Sequence, residues 1–132
     1  RPSAARDRPL LSSPDQVAAL YMDDLRVLQT EEIHAVLLDR RNRILCRQRL
    51  AEGGLTAAAL HPRDLFRSAV KANAAAMILL HNHPSGDPTP SEEDIRTTGR
   101  LRAAADMMGI PLLDHLVIGG DSYVSLRQRN LL

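Results

Sequence analysis

Residues 77–94 read Met77-Ile78-Leu79-Leu80-His81-Asn82-His83-Pro84-Ser85-Gly86-Asp87-Pro88-Thr89-Pro90-Ser91-Glu92-Glu93-Asp94. The opening apolar run suits a strand buried on both faces. Prolines at 84, 88 and 90 with Gly86 exclude regular structure after His83. Ser91 followed by Asp94 has the pattern of a capping box, so a helix starts there, and Gly109 ends it. A strand, an irregular loop and a helix entrance therefore follow one another directly. Strand side chains alternate faces, so His81 and His83 lie on the same side. Asp94, eleven residues after His83, returns to the strand end if the loop folds back.

Two neutral imidazoles and a carboxylate make a three-ligand metal site. Zinc sites with three protein ligands keep a fourth position for water, the mark of catalysis. The bound water then drops to a pKa of about 7. Hydrolysis also needs a base, for which Glu31 and Glu32 are candidates, and a donor to the oxyanion, for which Ser91 is one. Singly, these residues have plainer roles: a strand-end histidine, a capping acid, a solvated strand entrance. Their joint spacing carries the chemistry.

Outward from this stretch, Ser13 as N-cap and Pro14 predict a helix over 14–29. Ile33 to Leu38 reads as a buried strand and Arg40-Arg41-Asn42 as a turn. Arg43 to Leu50 reads as a second strand, with Ile44, Cys46, Gln48 and Leu50 on one side and Arg43, Arg47 and Arg49 on the other. Gly53-Gly54 breaks it. A helix opens at His61-Pro62. The helix after Ser91 carries Ile95, Leu101, Ala104, Ala105 and Met108 inward. Leu112 to Ile118 is a strand, Gly119-Gly120-Asp121 a hairpin turn, and Ser122 to Leu126 an edge strand. Asp114 and His115 interrupt an apolar strand and predict structural hydrogen bonds. His34 and His61 read as ordinary.

The 132 residues fit one domain, 44% hydrophobic and 25% charged with a net charge of +1. A single cysteine, Cys46, excludes an internal disulfide framework and multi-cysteine zinc sites. No apolar run reaches the ~18 residues of a membrane helix. The first residues, RPSAARDRPLLSSP, lack the apolar segment of a signal peptide, which predicts a cytoplasmic protein with no membrane partner. Arg1 in first place predicts a piece of a longer chain, with residues 1–12 a linker remnant and 13–132 the domain. Aromatics are 2% of the chain, which disfavours base-stacking platforms. Of 17 basic residues only Lys71 is lysine.

The full spacing resembles the JAMM (MPN-plus) metalloprotease motif: His81-Asn82-His83-Pro84, with seven residues between His83 and Ser91, then Ser91-x-x-Asp94. More closely, HNHPSGDPTPSEEDI resembles the signature of the bacterial RadC family. LHPRDLFRSAVKANAAAMILL and IPLLDHLVIGGDSYVSL are similar to its flanking segments, so the resemblance covers about residues 30–127. It implies a JAMM/MPN α/β fold like the cytidine-deaminase α/β/α sandwich, with a mixed curved sheet. It implies one Zn2+ held by His81, His83 and Asp94, with Ser91 supporting the water or the oxyanion. Counting back from Leu38-Asp39 places the family's glutamate at Glu31, with Ile33 in the position of an aromatic. Glu31 and Glu32 face opposite sides of a strand, so only one can serve. The resemblance implies a zinc-dependent peptidase or isopeptidase with a peptide or protein substrate. It also implies a helix-hairpin-helix segment ahead of this domain in full-length relatives.

The alternative is a partner-binding or DNA-repair-associated module whose metal site is structural or vestigial, drawing on the arginines at 40, 41, 43, 47 and 49. A solvated strand face is the favoured explanation of those arginines. The tripeptide His-Asn-His alone does not indicate a nuclease, since the JAMM spacing follows it.

Overall fold

The computed structural model describes residues 13–53 and 60–132. Its elements are α1 (Pro14–Arg26), β1 (Glu32–Leu38), β2 (Ile44–Glu52), α2 (Pro62–Lys71), β3 (Ala76–Asn82), α3 (Glu92–Met108), β4 (Leu112–Gly119) and β5 (Ser122–Ser125). The expected linker at residues 1–12 and Gly54 lie outside the described residues.

The strands form one open sheet in the order β2-β1-β3-β4-β5. Among the described residues only the β3–β4 pair is parallel. A parallel pair needs a crossover, and α3 supplies it. Every residue of β3 is buried, because β3 is central and has helices over both faces. On one face Ile33, Ala35, Leu37, Met77 and Leu79 pack against Leu65 and Ala69 of α2 and Leu101 and Ala105 of α3. On the other, Val36, Leu38, Ile78, Leu80, Leu116 and Ile118 pack against Val17, Ala18 and Leu25 of α1. The mixed α/β fold with a layer of helices on each side is the one the sequence predicts.

The differences lie in detail. α1 ends at Arg26 rather than at 29: Val27 closes it, and Leu28 donates back to the Leu25 carbonyl. β2 does not keep one alternation. Leu37 pairs with Cys46 but Leu38 with Ile44, and Ile33 pairs with Ala51 but His34 with Arg49. Leu45 and Leu50 are thus extra residues at β-bulges, and a bulge turns the following side chains to the other face. Ile44 packs with the α1 layer while Cys46 and Leu50 pack with α2 and α3. On α3 the buried stripe is Asp94, Thr97, Thr98, Leu101 and Ala105, and Met108 is exposed.

Residues 83–91 connect the end of β3 to α3. The His83 N–H donates to the Ile118 carbonyl at 2.8 Å, which extends the β3–β4 pairing by one residue. The loop then crosses Gly119. A Cβ on that glycine would lie 2.5 Å from Pro88 N and 2.7 Å from Asp87 C, so this crossing requires the absence of a side chain. Ser91 starts α3 with both halves of the capping box: its Oγ accepts from Asp94 N at 3.0 Å, and Asp94 Oδ2 accepts from Ser91 N at 2.9 Å.

Candidate metal centre

The C-terminal end of β3, the chain just before β1 and the first turn of α3 meet at one end of the sheet. β1 and β3 are antiparallel with Ile33 opposite His81, so Glu31, on the same face as Ile33, comes over the two histidines. Glu31 Oε1 lies 2.6 Å from His81 Nε2 and 3.5 Å from His83 Nε2. The donor atoms of Glu31, His81 and His83 all fall within 4.8 Å of one another. Asp94 adjoins them: its Oδ2 is 3.2 Å from His83 Nε2 and its Oδ1 is 3.7 Å from His81 Nδ1. The rings of His81 and His83 meet edge to face at 4.8 Å.

Burial divides the four. The His81 side chain is wholly buried and Asp94 nearly so, while Glu31 is about one-third exposed, at 32%. Burial holds the His81 pKa below the ordinary histidine value, against the pull of Asp94 and Glu31. His83 goes the other way: its bond to Asp94 raises it, burial notwithstanding. Burial alone would raise Asp94, but hydrogen bonds from His83 and the Ser91 backbone, with the charge of His81, outweigh it and bring the carboxyl to about 2. Asp94 is therefore an anion at any working pH. His83 Nδ1 donates to the Asp87 carbonyl at 2.9 Å, so Nε2, which donates to Asp94 while the ring is protonated, is the nitrogen that bears the lone pair once the ring is neutral.

Two imidazole nitrogens and a carboxylate are the donor set zinc prefers. Ligands of one zinc ion at about 2.0–2.2 Å each stand no more than about 4.4 Å apart. The 2.6, 3.5 and 3.2 Å separations meet that limit. His81 Nδ1 is buried with no hydrogen-bond partner among the described residues. The donor atoms of Glu31, His81 and His83 fit a divalent metal ion, with Asp94 against His83 Nε2 and facing the other nitrogen of His81.

Of the residues singled out in the sequence, Glu31, His81, His83 and Asp94 are brought together, with Ser91 beside them as the cap of α3. Glu32 is not: it turns to the opposite face and pairs with His34 Nε2 at 2.9 Å. His61 precedes α2 without capping it through its side chain. Asp114 accepts from Ser125 Oγ at 2.6 Å, His115 N at 2.7 Å and Arg127 N at 3.1 Å, the structural role predicted for it.

Two residues escaped the sequence reading. Thr98 sits one turn after Asp94 on the buried stripe. Its hydroxyl donates to the Asp94 carbonyl at 2.6 Å and accepts from His115 Nδ1 at 2.7 Å. The His115 ring lies 5.6 Å from that of His81. Asn82 is 1% exposed and bonds to residues on both sides of Glu31. The spacing of Thr98 from Asp94 was the available signal for the first; the second had none beyond its place between two histidines.

The arginines lie elsewhere. Arg47 pairs with Asp24 at 3.2 Å and stacks over Tyr21, and Arg49 approaches Glu52 at 3.8 Å. Arg40, Arg41 and Arg43 line an open concavity with Asn73 and Gly109, at the sheet end opposite the histidines. No helix among the described residues is long and apolar enough to cross a membrane.

Known proteins resemble this chain over most of its length. A family model described as the RadC-like JAB domain matches residues 11–131. A UPF0758 protein of Clostridium perfringens is 47% identical over 122 residues, covering 92% of this chain and 54% of the relative. UPF0758 proteins of Desulforamulus reducens and Moorella thermoacetica are each 45% identical, over 97% and 95% of this chain and 56% and 55% of their own lengths. The chain spans about half the length of these curated relatives. The match takes in both strands, the loop and the helix that bring Glu31, His81, His83 and Asp94 together, and on that ground the chain belongs to the RadC family.

Proposed function

We propose that this domain is a zinc-dependent hydrolase of JAMM type that cleaves a peptide or isopeptide bond. The observation that carries the reading is the convergence of two histidines and two carboxylates at one end of the sheet, with the carboxylates in unlike settings. Asp94 is buried, ionised and fixed by the capping box, which suits a permanent ligand beside His81 and His83. Glu31 is partly exposed and aimed at the same two histidines, which suits a group that exchanges protons with substrate.

Zinc, when bound, supplies a Lewis acid that polarises an amide carbonyl and lowers the pKa of water toward 7. Glu31 then takes the proton of the attacking water and passes it to the departing amine. The Ser91 Oγ accepts from the Asp94 N–H, which leaves its own hydrogen free to donate to the developing oxyanion.

The test is elemental analysis of purified protein, followed by cleavage of a peptide library. About one zinc per chain is expected, lost in His83→Ala, and Glu31→Gln slows cleavage by about 10²–10⁴-fold. No zinc after reconstitution, or full cleavage by Glu31→Gln, overturns the reading.

A further inference from the structure

Asn82 stands between the two histidines, but its side chain leaves β3 on the opposite face, and it is buried. The main-chain register of β1 against β3 stops at the pair Ile33–His81. One residue further on, the link between the two chains is the Asn82 carboxamide. Its Oδ1 accepts from the Glu32 N–H at 2.7 Å, and its Nδ2 donates to the Thr30 carbonyl at 3.0 Å. A carboxamide presents one acceptor and one donor side, as a peptide group does, so it can act as an added rung of the ladder. Its two bonds fall on the residues immediately before and after Glu31. They fix the backbone from which the Glu31 side chain departs, and so the direction in which the carboxylate points. Of the two bonded groups the Glu32 amide is in buried surroundings, where losing the partner is unfavourable.

We propose that Asn82 is a positioning residue that holds the Glu31 carboxylate against His81 and His83. The inference rests on the metal-centre reading and extends it: the middle residue of His81-Asn82-His83 sets the geometry of a carboxylate 51 residues away in sequence. Asp at this position keeps the acceptor for the Glu32 N–H but loses the donor to Thr30, so it preserves half of the clamp.

Two measurements test this. The first is amide hydrogen exchange at Glu32 in metal-free protein. Exchange is expected to quicken at least about tenfold in Asn82→Ala and to stay near wild type in Asn82→Asp. The second is zinc affinity, by chelator competition, in a double-mutant cycle with Glu31→Gln. Each single change is expected to weaken zinc by about 10–100-fold, and the double variant no further than the worse single. Losses that multiply, or zinc affinity unchanged in Asn82→Ala, overturn the proposal. If Asn82→Ala does not fold, Asn82→Asp takes its place in the cycle, with a smaller loss expected and the same two results overturning it. A wild-type protein that binds no zinc defeats the metal reading instead. Exchange then decides the clamp, and an unaltered Glu32 rate overturns it.

Discussion

His115 is a fully buried histidine that spends one nitrogen on Thr98 and leaves the other without a hydrogen-bond partner among the described residues. Burial, followed by the charge of His81, pushes its pKa down to about 3; Asp94 opposes and His83 adds to the fall. The folded protein thus keeps this ring neutral where the unfolded chain, titrating near 6.5, takes up a proton. For a histidine with a depressed pKa, stability is present above the unfolded value and falls as pH drops below it. The loss approaches about 1.4 kcal/mol per pH unit, or about 2 kcal/mol between pH 7 and 5. Urea unfolding of metal-free wild type and His115→Gln at these two pH values measures it. The stability gap between them should shift by about that amount in favour of the variant at pH 5, and a constant gap refutes the assignment. At this scale the sequence was informative where strand alternation decides. Glu31 and Glu32 are neighbours of identical chemistry, yet the two-residue period sends one to the histidines and the other to His34. It was silent on Asn82, because a side chain that bonds to backbone across strands leaves no spacing pattern in the chain that carries it.

Among the elements, the loop from β3 to α3 decides where Asp94 arrives. Its crossing of Gly119 is so close that the first atoms a methyl group would meet are backbone atoms of residues 86–88, which cannot rotate away. Gly119→Ala should lower stability by about 1–3 kcal/mol and weaken zinc binding as well, since the same loop carries His83. Gly99, inside α3 and open to space, is the control: Gly99→Ala should raise stability by up to about 1 kcal/mol and leave zinc affinity alone. Thermal melts with zinc titrations separate the two, and an undisturbed Gly119→Ala contradicts the packing argument. The helix starts were legible because Ser13 and Ser91 are side-chain caps with a fixed local pattern. The bulges at Leu45 and Leu50 were not. An extra residue in a strand is defined by its partner strand, and an apolar leucine on either face satisfies the same pattern.

For the whole molecule, layer order and site location were legible, because apolar runs fix the central strands and the histidines follow one of them directly. The bulged register of β2 and the order in which five strands line up depend on contacts far apart in sequence. A metal ion that joins three separate segments binds the folded state alone. Zinc at a hundred times its dissociation constant should therefore add about 2.7 kcal/mol. For a domain of this size that is a rise in Tm on the order of 5–10 °C. Scanning calorimetry with and without a chelator reads the shift. His83→Ala should show none, and a wild-type melt indifferent to zinc contradicts a folded metal centre.

The antiparallel pairing of β1 with β3 also orders events in time. His81, His83 and Asp94 lie within one short stretch and can approach one another as soon as the loop and the capping box form. Glu31 joins them only when two strands from distant parts of the chain close against each other. On the roles proposed above, the proton-carrying carboxylate is the last part of the site to arrive. Competence for the proposed reaction then arrives last, as a property of the finished sheet.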